Sequence, residues 1–351
     1  MTQRLWLVRL GRHGEREDAA LENNMLGIGF SLATDLSAAT DREAILEHIV
    51  AAHPNAKTGT QRNYAAQVNQ FVNRMQVGDI VVSPLKKQGG IAIAEVTGPY
   101  VYDGSVTGPT RPVKWLRTDV PRDTFKQDLL YSFGAIMTVC EVSRNDALSR
   151  VLSVANGGTD PGHGATPDLP VQAISPDDNG GEASTQSVDL SEIARNQIEA
   201  RISSIFTGHE LTALVAAILE AQGYVSHVSP PGPDGGYDIV AGRGALGFDA
   251  PRLVVQVKSG NIVVDHPTLQ SLNGLIQDAS ADHGLIVSWS GFKHTVRKET
   301  NRQYFRVRFW GRDELIDALL SVYVDLPEDI RAALPLKRIW TLVPEDDEDA
   351  G

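Results

Sequence analysis

The chain carries one cysteine, Cys140, among 351 residues. A lone thiol excludes an internal disulfide and any zinc knuckle built on cysteine, and it fits a reducing compartment, so a cytoplasmic location is expected. No basic-then-apolar leader opens the sequence, and no apolar run approaches the roughly 20 residues needed to cross a bilayer, so no membrane partner is expected. Basic residues are outnumbered, 32 Lys and Arg against 44 Asp and Glu, for a formal net charge of −12. That total argues mildly against a nucleic-acid partner, because phosphate contacts draw on Lys and Arg. The distribution matters more: residues 251–312 hold nine basic side chains against four acids. Much of the opposing charge lies in the linker and in an acidic tail over 341–351. With 42% apolar residues and a length beyond one ordinary domain, two domains are expected.

The first of these spans 1–154. Residues 5–10 read as a strand, 11–22 as a loop or lid, and 27–30 as a glycine-framed strand. Apolar spacing at Ala44, Ile45, Ile49 and Val50 predicts a helix over 41–52, and Tyr64, Val68, Phe71 and Val72 predict another over 63–75. A hairpin pairs 80–82 with 91–96 about the turn Lys87-Gln88-Gly89-Gly90. Further strands are expected at 100–102, 113–116 and 136–142. Short strands with two intervening helices predict an α+β unit, a small curved β-barrel with helices outside. From 155 to 188 the composition turns to Gly, Pro, Asp, Ser and Thr, which cannot bury enough apolar surface to offset ordering, and a flexible tether follows. A helix over 190–205 leads into a second domain, 189–340.

That domain opens on a helix after Thr207-Gly208, with Leu211, Leu214, Val215, Ile218 and Leu219 on one stripe and Gly223 as its stop. The stretch Gly232-Pro233-Asp234-Gly235-Gly236-Tyr237-Asp238 then turns into a strand, and a second apolar run covers 253–257. On that run Gln256 and Lys258 share a face while Val255 and Val257 point into a core. If the strands pair, Asp238 approaches both. A carboxylate, an amide oxygen and an ammonium suit Mg²⁺, or Mn²⁺ in its place, beside a lysine that orients an attacking water. Phosphodiester hydrolysis needs those parts. Each motif alone has a bland reading as a turn or a solvated sheet face; Asp234 reads as a turn residue and a lesser candidate.

Beyond the strands, 265–279 reads as a helix, 285–287 as a buried strand, 293–301 as a helix, 306–310 as a strand and 313–320 as a helix. Lys293, Arg297 and Lys298 either meet phosphates or form a solvated basic face. Gln270 either contacts DNA or is a surface amide. His209, His266 and His294 have no recognisable ligand spacing.

The order of these pieces is similar to the catalytic domain of Mrr-type restriction endonucleases, a branch of the PD-(D/E)xK superfamily with glutamine in place of the second acid. The resemblance rests on the helix from His209-Glu210-Leu211, the Gly-Pro-Asp-Gly-Gly-Tyr-Asp turn, Val255-Gln256-Val257-Lys258-Ser259, Gly284-Leu285-Ile286-Val287 and Ser290-Gly291-Phe292. It implies an α/β restriction-endonuclease-like domain, a central mixed sheet flanked by helices, with Asp238 and Gln256 on the metal and Lys258 at the attacking water. It also sets Glu210 near the metal, on a second ion or a coordinated water; the other reading is a carboxylate favoured by a helix N-terminus.

The first half resembles PUA-like barrels of the EVE type, through the Trp6 strand, Gly27-Ile28-Gly29-Phe30, the stretch from Phe71 to Val82, the strand over 91–96, and Val113-Lys114-Trp115-Leu116. Such domains take a flipped base into an aromatic pocket, and Trp6, Phe30 and Trp115 are the candidate walls, with plain core as the alternative. Together the resemblances imply an Mg²⁺-dependent, modification-dependent (type IV) DNA endonuclease of antiphage defence. Its partner would be double-stranded DNA with modified cytosine, and it would work as a homodimer. The alternative is a defence effector nuclease whose first domain senses a nucleotide or protein signal.

Overall fold

The computed structural model describes residues 3–87, 89–102, 108–163, 190–230, 236–260 and 262–340. The chain divides into two compact units, Met1–Ala194 with Trp340–Gly351, and Arg195–Ile339. No described helix is long and apolar enough to cross a membrane.

In the first unit the elements run β1 (Leu5–Val8), α1 (Glu17–Asn23), β2 (Met25–Gly27), α2 (Arg42–Ala52), α3 (Thr58–Asn69), β3 (Ile80–Pro84), β4 (Ile91–Val96), β5 (Val101–Tyr102), β6 (Pro109–Val120), α4 (Gln127–Phe133), β7 (Val139–Glu141) and α5 (Ala147–Ala155). One mixed sheet has the order β2-β6-β4-β3-β1-β7, with β5 also on β6. β1 and β3 are parallel; the other pairs are antiparallel. β6 curls the sheet, pairing β2 and β5 through its first residues and β4 through the rest, with register shifts that bend it.

Among the described residues the sheet runs open from β2 to β7, so its path is not that of a closed barrel. Alternation along β1 explains why both faces are dry. Trp6 and Val8 enter one core with Ile45, Ile49 and Val68 of α2 and α3; Leu5 and Leu7 enter another with Leu129, Phe133 and Val151 of α4 and α5.

Several expectations need correction here. Residues 11–22 hold α1 rather than only a loop, and the strand expected at 27–30 is β2, ending at Gly27. Phe30 and Ser31 take positive φ, 70° and 48°, which extended backbone does not allow. The helix expected at 63–75 starts earlier, at Thr58, and widens into a π-helical turn over Gln70–Arg74. There Arg111 of β6 donates to the Phe71 and Val72 carbonyls at 2.6 and 2.8 Å and to Gly98 O at 3.1 Å. Burial draws the Arg111 pKa down to about 10.

The tether cannot begin at 155, because Asp160 is 4% exposed and bound to Arg150 of α5 at 2.7 Å, with Asp128 of α4 on the same guanidinium at 2.6 Å. Of the expected tether, 164–188 lies outside the described residues, as does the acidic tail 341–351.

The second unit continues through α6 (Leu190–Ile205, which begins in the first), α7 (His209–Ala221), β8 (Val225–Val228), β9 (Ile239–Arg243), β10 (Asp249–Lys258), α8 (His266–Asp278), β11 (His283–Ser288), α9 (His294–Arg297), β12 (Val307–Trp310), α10 (Arg312–Val322) and α11 (Glu328–Ala333). Its sheet has the order β12-β11-β10-β9-β8, parallel from β10 to β12 and antiparallel from β10 to β8. Val255, Val257, Leu285 and Val287 pack with α7 and α10 on one face; Val254 and Ile286 pack with α8 on the other. The helix expected over 293–301 is only α9, for Val296 is its one buried apolar anchor.

Candidate active site

The site lies where β9 leaves its turn and meets the C-terminal end of β10. Ile239 pairs with Val255, and the Asp238 N–H donates to Val255 O at 2.9 Å. Asp238 directly precedes β9, whose Ile239 and Ala241 face α7, while Gln256 and Lys258 alternate onto the other face of β10. The Asp238 carboxylate accepts the Val257 N–H at 2.6 Å through Oδ2. A carboxylate has about four acceptor positions, so this bond anchors the group without exhausting it.

Gln256 is 4% exposed, far from the solvated sheet face that a lone Gln-x-Lys suggests. Its Nε2 donates to Gly236 O at 2.6 Å. A carbonyl only accepts, so the amide nitrogen must face Gly236 and the oxygen must face away. That oxygen, Oε1, is buried with no hydrogen-bond partner. A buried orphan acceptor costs about 1–3 kcal/mol, a cost that a cation would remove. Gly236 has φ of +87°, the left-handed region where a side chain is strained, and this aims its carbonyl at the amide.

Lys258 is half-buried at the end of β10, in register with Ser288 of β11, and its carbonyl accepts the Trp289 N–H at 3.0 Å. Ser288 is fully buried and donates to Gly291 O at 2.8 Å, tying down the turn beside the lysine. Among the described residues no three His, Cys, Asp or Glu converge. An ion here would therefore take one carboxylate, one amide oxygen and several waters, a set that fits Mg²⁺.

The other candidates are less gathered. Glu210 is exposed on the first turn of α7, where its Oε2 accepts the Thr207 N–H at 3.4 Å. Lys293 lies 3.7 Å from Asp265, Arg297 donates to Phe292 O at 3.5 Å, and Lys298 lies beyond the end of α9. Gln270 is exposed on α8, and Asp234 lies outside the described residues. Gly236 O and the Val257 N–H were not foreseen; backbone groups leave no mark in sequence beyond the paired glycines.

In the first unit Trp6 has no exposed surface, and its Nε1 donates to Asp79 at 2.8 Å, so it is core and offers no face to a base. Phe30 is 7% exposed, packed on Tyr64 with ring centroids 5.1 Å apart. Trp115 is half-buried and donates to Ala20 O at 3.2 Å.

A mixed five-stranded sheet covered by helices, with a carboxylate, an amide and a lysine on neighbouring strand ends, is the framework of a nuclease domain. Residues 204–319 match the Mrr catalytic family, described as a restriction endonuclease, and this part of the chain is such a domain. Residues 6–141 match a domain of unknown function, DUF8426. No curated protein matches the chain.

Among solved structures, a protein of unknown function, AF1548, is 14% identical, with 36% of this chain and 78% of that one covered at a TM-score of 0.26. The DNA modification-dependent restriction endonuclease AspBHI is 13% identical, with 73% and 67% covered and a TM-score of 0.33. MspJI restriction endonuclease, in complex with a 27-mer oligonucleotide, is 13% identical, with 85% and 71% covered and a TM-score of 0.32. At TM-scores below 0.5 these likenesses have no bearing on what this chain binds.

Proposed function

We propose that the protein is a divalent-metal-dependent, modification-dependent DNA endonuclease in which the second unit cuts and the first selects the DNA. The observation that carries the catalytic part is the buried, unpartnered Oε1 of Gln256, next in sequence to the Val257 N–H that Asp238 accepts and two residues before Lys258. Asp238 and Gln256 would hold Mg²⁺, which supplies Lewis-acid stabilisation of the scissile phosphate. Lys258 orients the attacking water and offsets charge that builds on the phosphate oxygens. Glutamine in place of a second acid leaves the site one negative charge poorer, which weakens metal binding.

Selection by the first unit is supported by the division of the chain, since Asp238, Gln256 and Lys258 all lie in the other unit. Modified cytosine is the feature we propose is read, with Trp115 and Phe30 as the remaining aromatic candidates. Cleavage of both strands needs two sites, so a homodimer is part of the proposal.

The test is cleavage, with Mg²⁺, of matched plasmids carrying unmodified, 5-methylated, hydroxymethylated or glucosylated cytosine. Selective cutting of one modified plasmid, lost in Lys258→Ala, is expected. Equal cutting of all four would remove the reading role, and cutting of none would favour an effector that waits for a separate signal.

A further inference from the structure

A concave site lies in the same unit, away from Asp238, Gln256 and Lys258. It is a cavity of about 350 Å³ between the end of α7 and the N-terminal halves of β10, β11 and β12. Leu253 and Leu285 in its wall face α7, whereas Gln256 faces α8, so the cavity and the cleavage residues occupy opposite faces of the sheet. They are also at opposite ends: Leu253 precedes Lys258 by five residues of β10, about 16 Å at the usual strand rise.

The lining chemistry is unusual for a site with no assigned role. Tyr224, Tyr304, Phe305 and Trp310 contribute four aromatic rings and Arg308 a cation, while Arg306 sends its guanidinium to Asn273 O of α8 at 3.4 Å. Among the described residues no Asp or Glu lines it, and neighbouring Asp282 is engaged by Arg252. Arg308 lies over the Tyr304 ring at 4.0 Å and donates to the Tyr304 carbonyl, so its guanidinium is held flat with other N–H groups available. Phe305 is 86% exposed at this cavity, a large apolar cost in water that nothing in the fold requires.

We propose that this cavity binds a nucleotide, its base stacked on the exposed Phe305 ring, which stands edge-on to Tyr304 at 87°, and its phosphate held by Arg308. Flat rings recognise any base by its π-face, guanidinium groups take the phosphate, and the absence of a lining carboxylate leaves no charge to repel it. The volume lies at the low end of small-ligand sites and admits one nucleotide. The same chemistry is offered by a free nucleotide and by one residue of a single strand. This inference stands apart from the catalytic reading, because it uses none of the cleavage residues.

The experiment titrates the full-length protein in EDTA, which silences cleavage, with 5′-dAMP in one arm and an eight-residue oligothymidylate in the other, read by tryptophan fluorescence and calorimetry. Saturable binding in either arm is expected, weakened about 10-fold or more by Phe305→Ala and by Arg308→Ala and restored by Phe305→Tyr. Binding of dAMP identifies a free nucleotide as the ligand; binding of the oligomer alone identifies a strand. Because Phe305 is so exposed, its alanine variant should melt with the wild type. No saturable binding in either arm overturns the proposal, as does binding that both variants leave unchanged. A loss of self-association in Phe305→Ala with no nucleotide bound would also overturn it, in favour of an interface between copies.

Discussion

Gln256 donates to the Gly236 carbonyl at 2.6 Å, and this bond decides which way its amide oxygen faces. The glycine is in the left-handed region and the amide is buried, so neither partner can turn without the other. The preparation of the site begins with this pair.

Gln256→Leu keeps nearly the same volume and removes the orphan oxygen. Plasmid cleavage should fall by about two orders of magnitude or more. The melting temperature should fall only slightly, because removal of an acceptor already without a partner offsets much of the lost bond to the exposed Gly236. Melting curves and cleavage rates measured on one preparation check this.

Lys258→Met and Lys258→Arg should both stop cleavage while affinity for DNA stays within about threefold. A single lysine contributes one phosphate contact at most, whereas in the proposed mechanism its ammonium orients the reacting water. Arginine should not rescue, because its planar fork is not a substitute for a compact ammonium. Gel-shift affinities beside cleavage rates separate binding from chemistry.

Glu210 accepts the Thr207 N–H from an exposed position on the first turn of α7. Glu210→Gln should cost about 1 kcal/mol or less and alter cleavage by no more than about threefold. A loss of about a hundredfold would show that the carboxylate serves the metal.

Glu192 gives the first unit a pH-dependent term. Burial alone would raise its pKa, but Arg9, Arg122 and Lys86 converge on it at 2.8, 3.1 and 3.5 Å and bring it down to about 2. A depressed carboxylate stabilises the fold above its unfolded pKa and loses that contribution as protons bind. Stability should be fully present above about pH 4.5 and drain away toward pH 2. In Glu192→Gln this part of the profile should be shallower than in the wild type, the remainder coming from Asp128 and Asp160, whose bonds to Arg150 also hold them low, as melting temperature against pH would show.

Asp79→Ala should destabilise the first unit by about 3 kcal/mol. The carboxylate takes the Trp6 indole N–H at 2.8 Å and the backbone N–H groups of Arg4 and Gln76 at 3.0 and 2.9 Å, and three donors would lose their acceptor. A red shift of tryptophan emission with a lower denaturation midpoint is the expected signature.

How much was legible varies with how local the cause is. Asp41 and Asp265 are side-chain caps of α2 and α8, and those helices start one residue beyond each. The pairing of β9 with β10, and of β3 with β4, follows from apolar runs broken by glycine turns. α5 was hidden because Arg150 interrupts its apolar stripe, and only Asp128 and Asp160 make that charge tolerable inside. Among the described residues the sheet is curled but β2 is not paired with β7, and closure into the expected barrel is a long-range matter on which strand propensity is silent.

For the candidate site, sequence alone determined the residue types and the face that Gln256 and Lys258 share, since side chains on a strand must alternate. What it could not determine was that Gln256 would be buried with its oxygen unpaired, or that Trp6 would spend its indole N–H on Asp79. Those outcomes depend on backbone groups and side chains brought in from elsewhere in the chain, Gly236 O from 20 residues away and Asp79 from 73. Alternation is a property of one strand; a hydrogen bond to a distant partner is a property of the packed whole.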